Sequence, residues 1–547
     1  MGLRMRITFC LVLAIFATTQ IIGCSGGSSS SSTTTTTGFS VNPEIVATEV
    51  GCMKQYAADP TNNYVNYASA IGAPEHTDSI HSGVQPCATF TGSFSGSNQA
   101  IQMTSASKWG SIQFIVNDGP TGSYIMGGGL ASETTGQYVA KFNPLTGKQI
   151  WLTYINAVNP LPAGQWNAFG SIGVIADGTI IAAAGTTIVK LNPATGSILK
   201  SVQLGVSSTL SSPINANFDG LLVAPNASGV ILLKSQNRPI GCPTQGNMAM
   251  SSCQALYGLP PNTTAVALDS NSLQLIDSIE LNQMVGTRGV VTKHNNKIYW
   301  YLAGLNNLER IIVDSTTSRL TPDATWVPAS YLLTGQTAGD APAVLGNWII
   351  ANQNGGGSAF VPITPFAVSQ DINLDGSVTS VRSFPWGKSL PTISPTGSWS
   401  ASLGSFGVDP ENNMVYAQDT YQGVVGLSLN QTTGEMTTVW NRPDWRTTDY
   451  FSLIGPVNQR ILISQYLNPN IATSTSVLQS ALLSSNYTET VEWANASTGA
   501  TILRPPSSAY TPSTALGSLP NLGYGGLIYM MGNTGSIYFY QAAALSN

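Results

Sequence analysis

The sequence predicts an all-β protein, a β-propeller of four-stranded antiparallel blades, with eight blades preferred and seven as the alternative. Three observations lead to this prediction. The hairpin pattern YVAKFNPLTGKQIW (138–151) recurs along the chain, a second two-strand unit recurs eight times, and only 9% of the residues are charged. Sparse charge with many turns is typical of short strands buried on both faces. A sandwich would also give alternating strands, but not the same pair of units eight times.

The first residues have the pattern of an export signal. Arg4 and Arg6 precede an apolar run that is too short for a mature transmembrane helix, and the run ends in IIGC (21–24). This ending resembles the bacterial lipoprotein signal. The resemblance implies cleavage before Cys24 and acylation of its thiol. Because Ser25 rather than Asp follows, it also implies the outer membrane. A plain secretory signal with a chance cysteine is the alternative.

These features divide the chain into four parts. A signal peptide (1–23) is followed by a tether rich in serine, threonine and glycine (24–39), an N-terminal segment (40–104) and the propeller (105–547). The tether cannot form a packed core and should be flexible. No amphipathic helix of ten residues with capping signals is predicted in the body. No second long apolar run follows the signal, so we expect a folded body that is anchored to a membrane rather than spanning it.

Charge and cysteine content restrict the function and the compartment. Without Arg4 and Arg6 the chain carries 19 basic and 26 acidic residues, a net charge of −7, and it has no lysine or arginine cluster. This composition excludes nucleic acid as an expected partner and argues against adsorption to anionic lipid. Four cysteines remain after Cys10 and Cys24, an even number that predicts disulfides in an exported chain. Three pairings are open, and local closure favours Cys52–Cys87 and Cys242–Cys253.

The repeat has a local chemical basis. Asn143 of the first hairpin corresponds to Asn192 in TIVKLNPATGSIL, and weaker copies begin near residues 264, 310, 424 and 491. Asn or Asp can cap such a turn through its side chain, and Gly accepts the positive φ that closes it. The second unit begins near residues 114, 173, 214, 290, 342, 407, 455 and 522. These spacings are close to one propeller blade. The final unit, GSIYFYQ, is expected to complete a blade begun by the N-terminal segment, which would remove an open sheet edge.

The pairing of PAVLGNWIIANQNG with VAKFNPLTGKQIW resembles the pyrroloquinoline-quinone (PQQ)-like repeat of the quinoprotein alcohol dehydrogenase-like propellers. That superfamily contains quinone-dependent dehydrogenases and also lipid-anchored scaffold propellers of outer-membrane protein assembly. The dehydrogenases use calcium or a lanthanide, an Asp base, a Trp floor and often a disulfide of adjacent cysteines. This sequence has no adjacent cysteine pair, so PQQ is not an expected cofactor. Its tryptophans, among them Trp386, Trp399, Trp440 and Trp445, are expected in packing.

A candidate calcium site lies at Asp371, Asn373 and Asp375. Oxygen ligands at alternate positions followed by Gly376 can wrap Ca²⁺. Arg382 stands where the bidentate acid of an EF-hand would be, so a capped hairpin turn is the favoured interpretation and calcium the alternative.

Two other polar groups stand out in this charge-poor chain. His76 and His81, near Glu75 and Asp78, are expected in a surface loop. A second cluster, in RPDWRTTDY (442–450), is a candidate partner-binding loop formed by Arg442, Asp444, Trp445 and Arg446. Solvated ion pairs are the alternative for this cluster.

These observations predict a lipid-anchored cell-envelope propeller that binds or scaffolds a protein or glycan partner without catalysis. The alternative is an enzyme on the same fold, either a quinone-dependent oxidoreductase or a lactonase-type metal hydrolase. Either enzyme would need carboxylates that converge in the central channel.

Overall fold

The computed structural model of the chain describes residues 39–545 except for the following ranges: 130–134, 158–169, 207–213, 227–228, 240–261, 335, 355–362, 389–405, 421, 468–488, 507–519 and 533–534. One helix, α1 (Pro43–Ala58), and one strand, β1 (Asn98–Thr104), precede the repeating part. Eight four-stranded antiparallel sheets follow as the blades of a propeller. The prediction of eight blades is therefore confirmed.

The first strand of each blade lies innermost, and successive innermost strands are neighbours around the ring. Blade 1 contains β2 (Ile112–Gly119), β3 (Gly122–Gly127), β4 (Tyr138–Phe142) and β5 (Gln149–Tyr154). Blade 2 contains β6 (Ser171–Val174), β7 (Ile180–Ala184), β8 (Thr187–Leu191) and β9 (Ile198–Gln203). Blade 3 contains β10 (Ile214–Val223), β11 (Ile231–Pro239), β12 (Thr264–Leu268) and β13 (Leu275–Glu280). Blade 4 contains β14 (Val290–His294), β15 (Lys297–Ala303), β16 (Leu308–Val313) and β17 (Leu320–Pro322).

The second half of the ring follows the same plan. Blade 5 contains β19 (Ala343–Leu345), β20 (Trp348–Ala351), β22 (Phe366–Ser369) and β23 (Ser380–Arg382), and beside it β18 (Thr337–Ala338) pairs with β21 (Gln353–Asn354). Blade 6 contains β24 (Gly407–Asp409), β25 (Met414–Asp419), β26 (Gly423–Leu429) and β27 (Met436–Arg442). Blade 7 contains β28 (Ser452–Ile454), β29 (Ile461–Leu467), β30 (Glu489–Asn495) and β31 (Thr501–Leu503). Blade 8 contains β32 (Asn521–Leu522), β33 (Leu527–Met531), β34 (Ile537–Ala544) and, outermost, β1.

Blade 8 joins the two ends of the chain. β1 runs antiparallel to β34, with Asn98 opposite Ala544 and Thr104 opposite Tyr538. The structure thus places residues 98–104 in a blade, whereas the predicted propeller begins at residue 105. The expected completion of the last blade by the N-terminal segment is confirmed. Pairing β1 with β34 covers an edge that a linear array of blades would leave open.

The recurring hairpin forms the third and fourth strands of a blade. In blade 1 the Asn143 side chain accepts hydrogen bonds from the Leu145 and Thr146 N–H groups at 2.9 and 3.1 Å. Gly147 closes the turn with a φ of 61°. The same Asn or Asp cap recurs at Asn192, Asp269, Asp314, Asn430 and Asn495. The predicted Asn or Asp cap therefore holds in six of the eight blades. Glycine closes the turn in four of these, whereas Leu273 and Ser318 take the left-handed position in blades 3 and 4, each with a φ of 59°.

Tryptophans connect adjacent blades, as predicted for Trp440. The Trp440 indole donates to the Ala496 carbonyl in the turn of blade 7 at 2.9 Å. Trp151 and Trp348 make the equivalent bond to the turns of blades 2 and 6. In each case the ring lies against the turn glycine, where an added Cβ would come within 2.4–2.7 Å of it. Glycine at these turns thus allows close packing as well as a positive φ.

Helix α1 contradicts the prediction that the body has no capped helix. Asn42 caps it by accepting the Glu44 N–H at 2.9 Å, and Pro43 stands in the first turn. Only Glu49 and Met53 are buried, so the helix has no broad apolar stripe by which periodicity could reveal it. Among the described residues, no helix is long and apolar enough to cross a membrane.

Candidate functional site

The axis of the propeller is occupied by residues 64–88, here named the axial segment. Most of its residues are buried. Its carbonyl groups accept backbone N–H groups from the innermost strands of six blades. These bonds are Asn117 to Gly72 (3.0 Å), Val174 to Ala73 (2.9 Å), Val291 to Ser79 (2.8 Å), Val344 to Ile80 (3.0 Å), Val408 to Ser82 (2.8 Å) and Leu453 to Gly83 (2.8 Å). Because the acceptors follow the order of the blades, the segment winds once around the axis.

Side-chain hydrogen bonds connect the segment to the two remaining blades. The Val223 N–H of blade 3 donates to the Tyr67 hydroxyl at 2.9 Å. In blade 8, the Tyr524 hydroxyl accepts the Ile71 N–H at 3.3 Å. Asn117 of blade 1 connects the axial segment to blade 8, because its side-chain amide donates to the carbonyls of Ile71 and Leu522 at 2.8 and 2.9 Å. All eight blades are therefore bonded to the axial segment.

The segment needs unusual backbone conformations to make this turn. Gly72 and Gly83 have φ values of 68° and 77°, and Thr77 and His81 are also left-handed, at 71° and 55°. A Cβ on Gly83 would lie 2.7 Å from the Phe451 carbonyl oxygen, so only glycine fits there. The end of the segment is tied to α1 by the Cys52–Cys87 disulfide. This pairing was predicted and is confirmed.

Glu75 is the centre of a polar group on the axis. Its carboxylate is 2% exposed and accepts hydrogen bonds from Arg288 Nε, the Ser171 hydroxyl and the Ile172 N–H. Burial alone would raise the pKa of Glu75, but Arg288, His76 and Ser171 outweigh it, so this pKa lies below its usual value. Glu75 and Arg288 therefore form a buried ion pair.

His76 and His81 lie beside this ion pair, and their predicted surface position is wrong. They are 6% and 4% exposed, and their ring centroids are 4.6 Å apart. His76 also packs against Tyr450 at 4.8 Å. Burial, followed by the nearby His76 and Arg288, lowers the pKa of His81 well below its usual value. The sequence contains a signal that could have predicted this burial. Both histidines lie close in sequence to Glu75 and Asp78, and ionisable side chains that are buried need such partners.

Two further carboxylates complete the group, which we name the axial cluster: Glu75, His76, Asp78, His81, Arg288, Asp340 and Tyr450. Asp78 accepts the Ser82 hydroxyl at 2.5 Å and the Ser82 and Ile80 N–H groups at 2.9 and 3.1 Å. Burial nevertheless raises the pKa of Asp78 to about 6. The Tyr450 hydroxyl donates to Asp340, and burial raises the pKa of Tyr450 well above its usual value.

The contacts of the cluster limit its chemistry. Its three carboxylates, of Glu75, Asp78 and Asp340, all accept hydrogen bonds from protein donors. Across the described part of the chain, no three histidine, cysteine or carboxylate side chains are placed to share a metal ion. The arrangement is suited to fixing the axial segment to the blades.

The candidate calcium residues lie in the turn between β22 and β23. Asp371 reaches to blade 4 and accepts from His294 at 2.7 Å, while Asn347 donates to it at 3.0 Å. Asp375 accepts the Ser377 N–H and hydroxyl at 2.9 and 2.6 Å, and Asn373 donates to the Ser377 hydroxyl. All three side chains thus have protein partners. Calcium binding at this turn remains a prediction.

The candidate partner-binding residues are mostly turned toward the protein. Trp445 is fully buried and donates to the Gln465 carbonyl at 2.8 Å. Arg442 pairs with Asp444 at 2.6 Å and also donates to the Gly499 carbonyl. Burial lowers the pKa of Arg446 below its usual value, and nearby carboxylates only partly offset this. Within this loop, Asp444 offers the most accessible charge, with its side chain 50% exposed.

Several predicted residues lie outside the described ranges. These are Cys24, Cys242, Cys253 and Trp399.

Comparison with known proteins gives likeness in shape alone. No family model and no curated protein matches the chain. Solved structures that it resembles include the quinohemoprotein alcohol dehydrogenase from Comamonas testosteroni, at 11% identity and a TM-score of 0.47, covering 91% of this chain and 83% of the other. BamB from Moraxella catarrhalis has 11% identity and a TM-score of 0.36, with 84% and 97% covered. The WD40 domain of SCAP from fission yeast has 8% identity and a TM-score of 0.40, with 81% and 98% covered. The strand order itself defines this chain as an eight-bladed β-propeller.

Proposed function

We propose that this chain is a lipid-anchored cell-envelope propeller that acts as a non-catalytic binding or scaffolding module for a protein or glycan. One observation carries the proposal: the axial segment is hydrogen-bonded to all eight blades. Ligand sites are concave, and in closed β-structures they favour the central opening. With that opening filled by the chain, the outer surfaces are the parts available to a partner.

The outermost strands support such a role. Ile101 in blade 8, Ile150 in blade 1, Ile198 in blade 2 and Leu275 in blade 3 are 44–55% exposed. They lie on four consecutive blades, on strands whose outer edges are unpaired within the sheets. Exposed strand edges with apolar side chains are suited to pairing with another chain. We therefore place the partner surface along this arc of the rim.

The membrane anchor and the location belong to the same proposal. Acylation at Cys24 would attach the chain to the outer membrane through the tether. Either enzyme alternative would require the axial segment to leave, which would break its bonds to every blade.

Two measurements test this function. Purified full-length protein supplied with PQQ and Ca²⁺ should oxidise no alcohol in a dye-linked assay, and should hydrolyse no lactone with Ca²⁺ or Mn²⁺. A photo-crosslinking residue at Ile150 should give a discrete adduct in intact envelopes, whereas the same residue at exposed Val457, away from the arc, should not. Metal- or quinone-dependent turnover would overturn the proposal.

The anchor is tested separately by cell fractionation. Wild-type protein should sediment with the outer membrane, and Cys24→Ser should appear in the soluble fraction. Membrane association of Cys24→Ser equal to that of the wild type would contradict anchoring at this residue.

A further inference from the structure

An apolar cleft of about 320 Å³ lies between the start of α1 and blades 1 and 8. One wall is formed by Val41, Val46 and Ala47. The other includes Pro144 and Tyr529. The volume is at the lower end of the range found for ligand pockets, which is roughly 300–1,000 Å³. The cleft is thus large enough for a slender ligand.

The lining offers a ligand no charge and few free polar groups. All its residues are aliphatic, proline or tyrosine. The Tyr529 hydroxyl donates to the Pro144 carbonyl, and the Tyr524 hydroxyl accepts the Ile71 N–H, both at 3.3 Å. A sugar, a nucleotide or an extended peptide would bury polar groups here without partners, which is costly. A hydrocarbon chain has no such groups, so it fits the lining best.

The cleft also lies where the chain leads back to the predicted anchor. Val41 lines it, and Cys24 and Phe39 are 15 positions apart, a separation that spans at most roughly 54 Å in a fully extended chain. An anchor at Cys24 would therefore keep the cleft within reach of a bilayer. The inference that the hydrocarbon comes from a membrane therefore rests on the proposed anchor. The inference that the ligand is a hydrocarbon rests on the lining of the cleft alone.

We propose that this cleft binds one acyl chain of a membrane lipid. Transfer of methylene groups from water into the apolar lining would drive binding, at about 0.8 kcal/mol for each buried group. A lipid held there would fix the orientation of the propeller relative to the membrane.

Full-length Cys24→Ser protein, which lacks the acyl group of the anchor, provides the test. cis-Parinaric acid should bind with saturable fluorescence at one molecule per chain. Competing saturated fatty acids should bind about fourfold more tightly per added methylene until the cleft is filled. Ala47→Trp should weaken probe binding at least tenfold, because the exposed Ala47 borders the cleft and a large side chain there would occupy it.

A matched control is Thr48→Trp, at the next position of the same helix, which is exposed and does not line the cleft. It should bind the probe like the parent protein. A second variant, Ala47→Glu, should also weaken binding, since it places a charge at the cleft without adding bulk to the core. Thermal melts of the three variants should coincide, which separates loss of binding from loss of fold.

Equal binding by Ala47→Trp and Thr48→Trp would overturn the proposal. A probe that binds Cys24→Ser but is excluded from the lipidated wild type would overturn a membrane lipid as occupant, in favour of the chain's own acyl group. Because Cys24→Ser is measured in solution, absence of binding would reject the cleft and leave the anchor proposal standing. A wild type that fails to sediment with membranes would reject only the anchor.

Discussion

The axis and the rim of this propeller hold polar groups in opposite ways. At the axis, Glu75 and Arg288 pair in a setting where the carboxylate is 2% exposed. At the rim, Arg442 at the end of β27, the outermost strand of blade 6, pairs with Asp444, whose side chain is 50% exposed. Water can replace a lost partner at the rim, but it cannot easily do so at the axis. The same type of contact should therefore matter much more for stability at the axis.

The largest expected effect comes from breaking the axial ion pair. Arg288→Met should lower the free energy of unfolding by about 3–5 kcal/mol, because it leaves Glu75 charged and buried without its partner. Asp444→Ala, the matched change at the rim, should cost about 0–1 kcal/mol, because Asp444 is exposed and Arg442 keeps its bonds to Glu492 and to the Gly499 carbonyl. Chemical denaturation of both variants measures the difference. Equal losses would contradict the comparison, and adding Glu75→Gln to Arg288→Met should recover part of the stability.

A smaller effect is expected from the backbone of the axial segment. Gly83→Ala should cost about 3 kcal/mol, since its Cβ would meet the Phe451 carbonyl and its φ is 77°. Gly178→Ala is the control, because its φ is 79° but no atom lies within 4 Å of the added Cβ. It should cost about 1 kcal/mol. Similar unfolding free energies for the two variants would show that the axial contact adds nothing.

The buried ionisable groups at the axis should also make the stability of the protein depend on pH. An unfolded histidine titrates near 6.5, and burial lowers the pKa of His81 well below this in the folded state. The unfolded state therefore takes up the proton first, and stability falls as pH drops below about 6.5, by up to about 1.4 kcal/mol per pH unit. His81→Asn should remove this contribution, since asparagine tolerates the left-handed backbone there.

Asp78 should act in the opposite direction. Its folded pKa of about 6 lies above the unfolded value, so its protonation favours the folded state as pH falls from about 6 to 4. Asp78→Asn should therefore steepen the acid loss, whereas His81→Asn should reduce it. Unfolding free energies measured between pH 5 and 6.5 for both variants test these signs. Parallel curves would contradict them.

The smallest effect is expected at the exposed turn of blade 5. The side chains of Asp371 and Asp375 already accept hydrogen bonds from the protein. We therefore expect millimolar Ca²⁺ to change the melting temperature by less than about 1 °C relative to chelator. A larger rise that Asp375→Asn abolishes would instead support calcium binding at this turn.

The repeating part of the fold could be predicted because its rules are local. An Asn such as Asn143 caps its own turn, and Gly147 closes it, so each hairpin is recognisable without knowledge of the rest. The starts of the second unit near residues 173, 290 and 407 agree with β6, β14 and β24. Counting the copies of this two-strand unit in the sequence therefore predicted the number of blades correctly.

The axial segment could not be predicted in this way. It has no period of two or of 3.6, because its residues follow the curve of the ring and bond to successive blades at unequal intervals of one to six positions. The prediction that His76 and His81 lie at the surface was wrong because their neighbours in the fold, Arg288 and Tyr450, come from distant parts of the sequence. Helix α1 was missed although Asn42 and Pro43 signalled its start, because its buried face is narrow.

Closure of blade 8 by β1 has a consequence for how the chain is made. The axial segment and β1 leave the ribosome before all the other strands, and β34 leaves it after all the other described strands. Blades 1 to 7 can form in turn during synthesis, while the axial segment gains its full set of contacts only after Tyr524 of blade 8 has appeared. Contacts so distant in sequence slow folding. The early chain must therefore remain accessible until late in translation, and a variant that lacks residues 538–547 would leave β1 without its partner.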